Sequence, residues 1–368
     1  MSSETLGEVL SGRSLAVVAG SGGVGKTTVS AALGLAAGEV LDDGDVLVLT
    51  IDPARRLATA LGLPIDGNEV IELPQVSGAK RSAKVFAAML DPSSAWDAMV
   101  REQAGPAQAE KVLANPVYRR IADTFVHGND YAALGWLDDA FASDRYRLII
   151  VDTAPSQNAL DFFDASNRVA DFFGSPLLGW LTGGDGSLVG GTAARTFSTL
   201  ADRLLGAEFF ADVVEFFQLM NEVVPGMVAR TAAISAELAG DDAAFVAVTA
   251  PAADVVGRLD RLAGQLAQRD LRFDAVVVNG VEPDLFASDK VLDVAERVSR
   301  GQNSPFSKKN TELLGPGAEY VLERAHVARE QRALLNDIPA EVVVSLPRAV
   351  HAPTSVEALL AVGRRLWY

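Results

Sequence analysis

The chain contains no cysteine. Disulfides, thiolate nucleophiles, iron–sulfur clusters and cysteine-based zinc sites are therefore excluded on chemical grounds. Histidine is almost as scarce, and the three present, His127, His326 and His351, are too scattered to show metal-ligand spacing. No run approaches the ~20 apolar residues, free of charge or glycine, that a membrane-crossing helix needs. Met1-Ser2-Ser3-Glu4 carries an acidic residue where a signal peptide needs positive charge, so a cytoplasmic protein is expected. Positive charge is also in short supply: 32 Lys and Arg face 48 Asp and Glu, for a net charge of −16, and only seven of the cations are lysines. Such a field repels phosphate backbones, and no nucleic-acid partner is expected. The one loose cationic group, Arg297, Arg300, Lys308 and Lys309, reads as a solvated loop.

What remains is a balanced globular composition, with 49% hydrophobic and 22% charged residues over 368 positions, which excludes wholesale disorder, collagen and a coiled-coil rod. Apolar runs bounded by turn residues recur at Leu15 to Ala19, Val46 to Ile51, Val85 to Leu90, Leu148 to Val151, Phe245 to Val248, Ala275 to Val278 and Val342 to Val344. Continuous apolar runs, unlike alternating ones, mark strands buried on both faces. They predict an α/β fold with a doubly wound, mainly parallel sheet.

Two intervals carry no strand signal, approximately 92–144 and 162–241. Both read as helical insertions in a single domain spanning 1–368. Nine of the 16 phenylalanines lie between Phe162 and Phe217, eight of them as adjacent pairs. An adjacent pair cannot sit wholly on one narrow helix stripe. These helices either form a subdomain with its own core or offer an apolar groove to a client.

The chemistry concentrates after the first strand. Gly20-Ser21-Gly22-Gly23-Val24-Gly25-Lys26-Thr27-Thr28 is a complete GxxxxGK[ST] phosphate loop, followed by a helix that reads as amphipathic from Thr28 to Ala37. Glycines let backbone N–H groups curl around a phosphate, and the helix aims its positive end at the anion. Lys26 would neutralise β/γ oxygens and Thr27 would ligate Mg²⁺. The second strand runs into Asp52-Pro53-Ala54-Arg55-Arg56. An Asp at that strand end can accept a hydrogen bond from an attacking water, although Asp-Pro is also a common turn. Leu148 to Val151 ends in Asp152, the Walker B arrangement, which can hold Mg²⁺ directly or through water; an Asp there can also merely cap the next turn.

These elements together resemble the arsenical-pump and guided-entry ATPase family, whose members couple ATP hydrolysis to anion pumping or membrane-protein targeting. The resemblance covers most of the chain. It is carried by Gly22 to Thr28, by Asp52-Pro53-Ala54 as switch I, by Asp91-Pro92, by Asp152-Thr153-Ala154-Pro155 as switch II, and by Val276-Val277-Val278-Asn279. It implies a P-loop ATPase using ATP and Mg²⁺, with Asn279 against adenine and Leu346-Pro347-Arg348 closing the base pocket. It also implies a homodimer or a heterodimer with a paralogue, and an apolar or membrane-protein client. Without cysteine the chain resembles the cysteine-free bacterial branch, since zinc-clasped dimers and arsenite-sensing thiolates need soft ligands.

Three departures from the family pattern matter. Ser21 stands where the family carries a second P-loop lysine that reaches a partner's phosphates, Arg55-Arg56 replace His-Ser after Asp-Pro-Ala, and Ser156-Gln157-Asn158 replace Thr-Gly-His. Ser21 leaves open an alternative: a nucleotide-binding partner subunit of low intrinsic activity, paired with a paralogue that retains the lysine. Arg55 and Arg56 are either compensating trans charges or solvated switch residues.

Overall fold

The computed structural model describes residues 5–51, 56–65, 68–78, 82–124, 128–153, 171, 207–283 and 288–368. Its strands are β1 (Leu15–Ala19), β2 (Asp45–Thr50), β3 (Val70–Glu72), β4 (Val85–Met89), β5 (Tyr146–Asp152), β6 (Ala243–Thr249), β7 (Ala275–Val281) and β8 (Val342–Pro347). They form one eight-stranded sheet in the order β3-β4-β2-β5-β1-β6-β7-β8. The pairings are parallel except β3 with β4, which is antiparallel. The doubly wound α/β reading holds, and seven of the eight strands fall on the seven apolar runs. The exception, β3, is a three-residue edge strand without a fully buried position, too short to leave a periodic signal.

Among the described residues the helices are α1 (Leu6–Ser11), α2 (Lys26–Val40), α3 (Arg56–Leu61), α4 (Pro92–Gln103), α5 (Pro106–Ala114), α6 (Pro116–Thr124), α7 (Gly128–Ala142), α8 (Ala207–Leu238), α9 (Val255–Ala267), α10 (Asp289–Ser299), α11 (Lys308–Asn336) and α12 (Val356–Trp367). Three consecutive helices, α4, α5 and α6, open on proline, whose missing N–H costs nothing at that position.

Period-two alternation along each strand divides the core between the two sheet faces. Leu15, Val17 and Ala19 point to one face, where α4 to α8 supply Trp96, Leu134, Phe216 and Met227. Ala16 and Val18 point to the other, where α1, α2 and α12 supply Leu6, Leu33, Leu359 and Trp367. That two-sided burial is why the runs read as continuously apolar.

One expectation needs correcting. The helix after the phosphate loop is not amphipathic: every residue from Val29 to Gly38 is buried, because α2 lies between the sheet and α12. A Cβ on Gly34 would come within 2.3 Å of the Val48 side chain, and one on Gly363 within 2.1 Å of the Ala32 carbonyl oxygen. Small residues let α2 approach both neighbours. Arg364 then clamps Glu39 with two hydrogen bonds of 2.8 and 2.6 Å.

Of the phenylalanine pairs, Phe216-Phe217 is buried, with rings 5.0 Å apart and Phe216 6.5 Å from Tyr118. That pair belongs to the core and not to an open groove. Pairs 162–163 and 172–173 lie outside the described residues. Among those described, no helix is long and apolar enough to cross a membrane.

Candidate functional site

The phosphate loop occupies residues 20–25, between β1 and α2. Gly20 (φ +156°) passes so close to β6 that a Cβ would lie 2.1 Å from the Val248 carbonyl oxygen. Gly25 (φ +96°) is the N-cap of α2 and brings no side-chain cap. The first N–H groups of α2 are thus not taken by a capping side chain, which is the arrangement that receives an anion. Ser21, Gly22 and Gly23 are exposed, while Lys26 is buried and its ammonium donates to the Gly20 and Ser21 carbonyls at 2.9 and 3.1 Å. Val24 and Thr28 are half-buried beside it.

Parallel pairing of β2, β5 and β1 brings distant residues to one sheet edge. Asp152 is fully buried, in register with Thr50 on one side and Val18 on the other. Its Oδ2 accepts hydrogen bonds from Thr27 Oγ1 at 2.6 Å and Thr50 Oγ1 at 2.9 Å. Thr153 donates its hydroxyl to the Val18 carbonyl at 2.9 Å, tying the chain after β5 back to β1. A threonine hydroxyl and a carboxylate meeting at the head of α2 are hard oxygen donors. They suit Mg²⁺, which keeps several waters and takes few protein ligands beside substrate phosphates. Among the described residues there is no cluster of three or more His, Cys, Asp or Glu that could hold a metal.

Asp52, Pro53, Ala54 and Arg55 lie outside the described residues, as does the run from Ala154 to Ala170. Ile51, just before Asp52, is buried and donates its N–H to the Asp152 carbonyl at 3.0 Å. Arg56 is exposed at the start of α3.

The base-side residues come from the other half of the sheet. Asn279 ends the regular part of β7, and its Nδ2 donates to the Val24 carbonyl at 2.8 Å. The β7–β8 register breaks between Asn279 and Val281, leaving Gly280 (φ +88°) as the extra residue of a bulge. Pro347 is opposite Val281 at the end of β8, and the Arg348 N–H donates to the Val281 carbonyl at 2.8 Å. The exposed Arg348 guanidinium lies 3.6 Å from Glu282, which Arg324 also holds at 2.9 Å. Asn279, Pro347 and Arg348 are therefore neighbours across two strand ends.

Sequence reasoning missed the contacts of Thr50 and Thr153 and the Asn279–Val24 bond. Thr50 could have been found only by pairing β2 with β5, since its relevance is its register opposite Asp152.

The family model for anion-transporting ATPases matches residues 14–300, a span that includes the loop, both Asp-bearing strand ends and Asn279. The chain belongs to the anion-transporting ATPase family. Within it, the chain is 29% identical to the ATPase GET3 of Malassezia globosa over 162 residues, which are 43% of this chain and 44% of that protein. It is 26% identical to a putative arsenical pump-driving ATPase of Halobacterium salinarum over 221 residues, 55% of this chain and 31% of that protein. The chain thus matches less than half the length of either relative. The matched span holds the glycine-rich run after β1 and Asp152 at the end of β5.

Proposed function

We propose that this chain is a Mg²⁺-dependent ATPase whose nucleotide state is passed to the helical insertions at 92–144 and 162–241. The N–H groups of Gly20 to Thr28 and the Lys26 ammonium bind the phosphates. Thr27 and Asp152 would hold Mg²⁺, and Asp52 would position the attacking water. Asn279 turns its Oδ1 to adenine, with Pro347 and Arg348 at the pocket edge. Bound Mg²⁺ would neutralise charge on the β- and γ-phosphate oxygens. A cytoplasmic dimer and an apolar or membrane-protein client belong to the same proposal.

The observation that carries the reading is the convergence of Thr27 and Asp152 beside an uncapped helix start, 125 residues apart in sequence. The family membership supports it. The experiment is ATP turnover by the purified chain with and without Mg²⁺, and by Lys26→Ala. Turnover lost in the variant supports the enzyme; equal turnover in both refutes it.

Ser21 favours a second reading, a partner subunit with low activity of its own. It is exposed, and its main-chain carbonyl accepts a hydrogen bond from Lys26. Under this reading the wild type binds ATP and turns it over slowly, while Ser21→Lys or an added paralogue raises the rate.

A further inference from the structure

We propose that Asn279 is a positioning residue for the phosphate loop, setting the loop in its anion-binding form before any nucleotide arrives. The inference rests on the nucleotide reading above and assigns Asn279 a task separate from touching the base.

The connection is direct. Asn279 belongs to β7, two strands from β1, yet its Nδ2 donates to the carbonyl of Val24, 255 residues away in the chain. The approach is close enough that a Cβ on Gly25 would lie 2.4 Å from Nδ2. A planar trans peptide points its C=O and N–H in opposite directions. Holding the Val24 carbonyl toward Asn279 therefore turns the Gly25 N–H away from Asn279. One side-chain bond thus sets the orientation of a peptide group in the last turn before α2.

The loop needs such a fixing point. Four of its six residues from Gly20 to Gly25 are glycine, the residue with most backbone freedom to lose on ordering. Anchoring the loop in advance lowers the ordering cost paid when phosphate binds. β7 is shaped for the contact. The bulge at Gly280 interrupts the β7–β8 register directly after Asn279, and bulges re-aim side chains. A Cβ on Gly280 would meet nothing within 4 Å, so the positive φ of the bulge, and not crowding, calls for glycine there.

The carboxamide divides its two ends between two jobs. With Nδ2 committed to Val24, Oδ1 is the end that remains for the base, and an acceptor there suits a 6-amino purine.

The test compares wild type with Asn279→Ala and Asn279→Asp. Asp keeps the shape and the base-facing oxygen but cannot donate to Val24. Hydrogen exchange of the ligand-free proteins is read over Gly20 to Thr28. Both variants should exchange there roughly three- to tenfold faster than wild type, the size of one lost hydrogen bond, with exchange in β1 and β6 unchanged. Calorimetry with Mg-tripolyphosphate, which carries no base, should show a weakening of similar factor in both variants. Adenosine binding should fall in Ala and persist in Asp.

Unchanged loop exchange in both variants overturns the proposal and leaves Asn279 as a base contact alone. Faster exchange throughout the sheet also overturns it, as a general loss of packing. If the wild type binds neither Mg-ATP nor tripolyphosphate, the nucleotide reading fails, while the exchange comparison still decides the role of Asn279.

Discussion

The Thr27 hydroxyl donates to Asp152 Oδ2 across 2.6 Å, joining the first turn of α2 to the end of β5. Thr50 donates to the same oxygen, so one buried carboxylate organises three segments of chain. If these groups receive Mg²⁺, Thr27→Ala and Asp152→Asn should abolish most of the gain in ATP affinity that Mg²⁺ gives, at least tenfold. Thr27→Ser should retain it. Calorimetry with and without EDTA reads the difference. Thr50→Val should cost about 1 kcal/mol of stability, one net hydrogen bond, read by urea denaturation.

Arg230 of α8 holds Asp138 at 2.7 Å, with Asp139 and Glu102 also in ion-pair contact, and so docks α8 onto α7 and α4. The guanidinium is only 10% exposed, while the acids are 28 to 64% exposed. Arg230→Ala leaves three acids facing one another and should cost roughly 2 kcal/mol, less than a fully buried pair because solvent screens the acids. Adding Asp139→Asn should restore part of it in a double-mutant cycle.

The Asp139 carboxyl, although the most exposed of the three acids, is held above its ordinary value of 3.8, mainly by partial desolvation, with Arg230 opposing and the Glu102 and Asp138 charges assisting. A raised folded-state value means that the native state binds the proton more tightly than the unfolded chain does. This group's contribution to stability is therefore present below its ordinary value and lost as pH rises through the raised one. The Tm of wild type minus that of Asp139→Asn should accordingly fall as pH is raised from 3.5 to 7.

Glycines of the same type should respond in opposite directions. Gly363→Ala puts a Cβ 2.1 Å from the Ala32 carbonyl oxygen and must push α12 off α2, costing roughly 1–3 kcal/mol. Gly315 and Gly317 flank Pro316 inside α11, and a Cβ on either meets nothing within 4 Å. Gly315→Ala and Gly317→Ala should each stabilise by up to about 1 kcal/mol through helix propensity. Thermal denaturation of the three variants checks the sign.

If nucleotide state reaches the insertions, apolar-dye binding and hydrogen exchange over residues 162–219 should differ between the ADP-bound protein and one carrying a γ-phosphate analogue. Phe216 and Phe217 lie in the core and should stay protected in both. Identical profiles would refute the coupling.

Much of the candidate site was legible because the proposed chemistry constrains consecutive residues. A phosphate cradle needs its glycines, lysine and threonine at fixed spacing, so Gly20 to Thr28 announces itself. A carboxylate delivered by a buried strand needs an apolar run ending in Asp, so Asp152 does too. The burial of α2 was not legible. From Thr28 to Ala37 it read as amphipathic, and only the packing of α12 across it shows that both faces are covered.

By itself, then, the amino-acid sequence determined the fold class and seven strands and proposed Gly20 to Thr28 and Asp152 as the candidate site, since each depends on local patterning along a single stretch. The tertiary structure alone decided that Thr50 and Thr27 share one oxygen of Asp152, that β3 closes the sheet edge, and that Asn279 grips Val24. Strand order is written in no single stretch. It arises from how eight strands pair, and pairing brings together side chains that local patterns cannot connect.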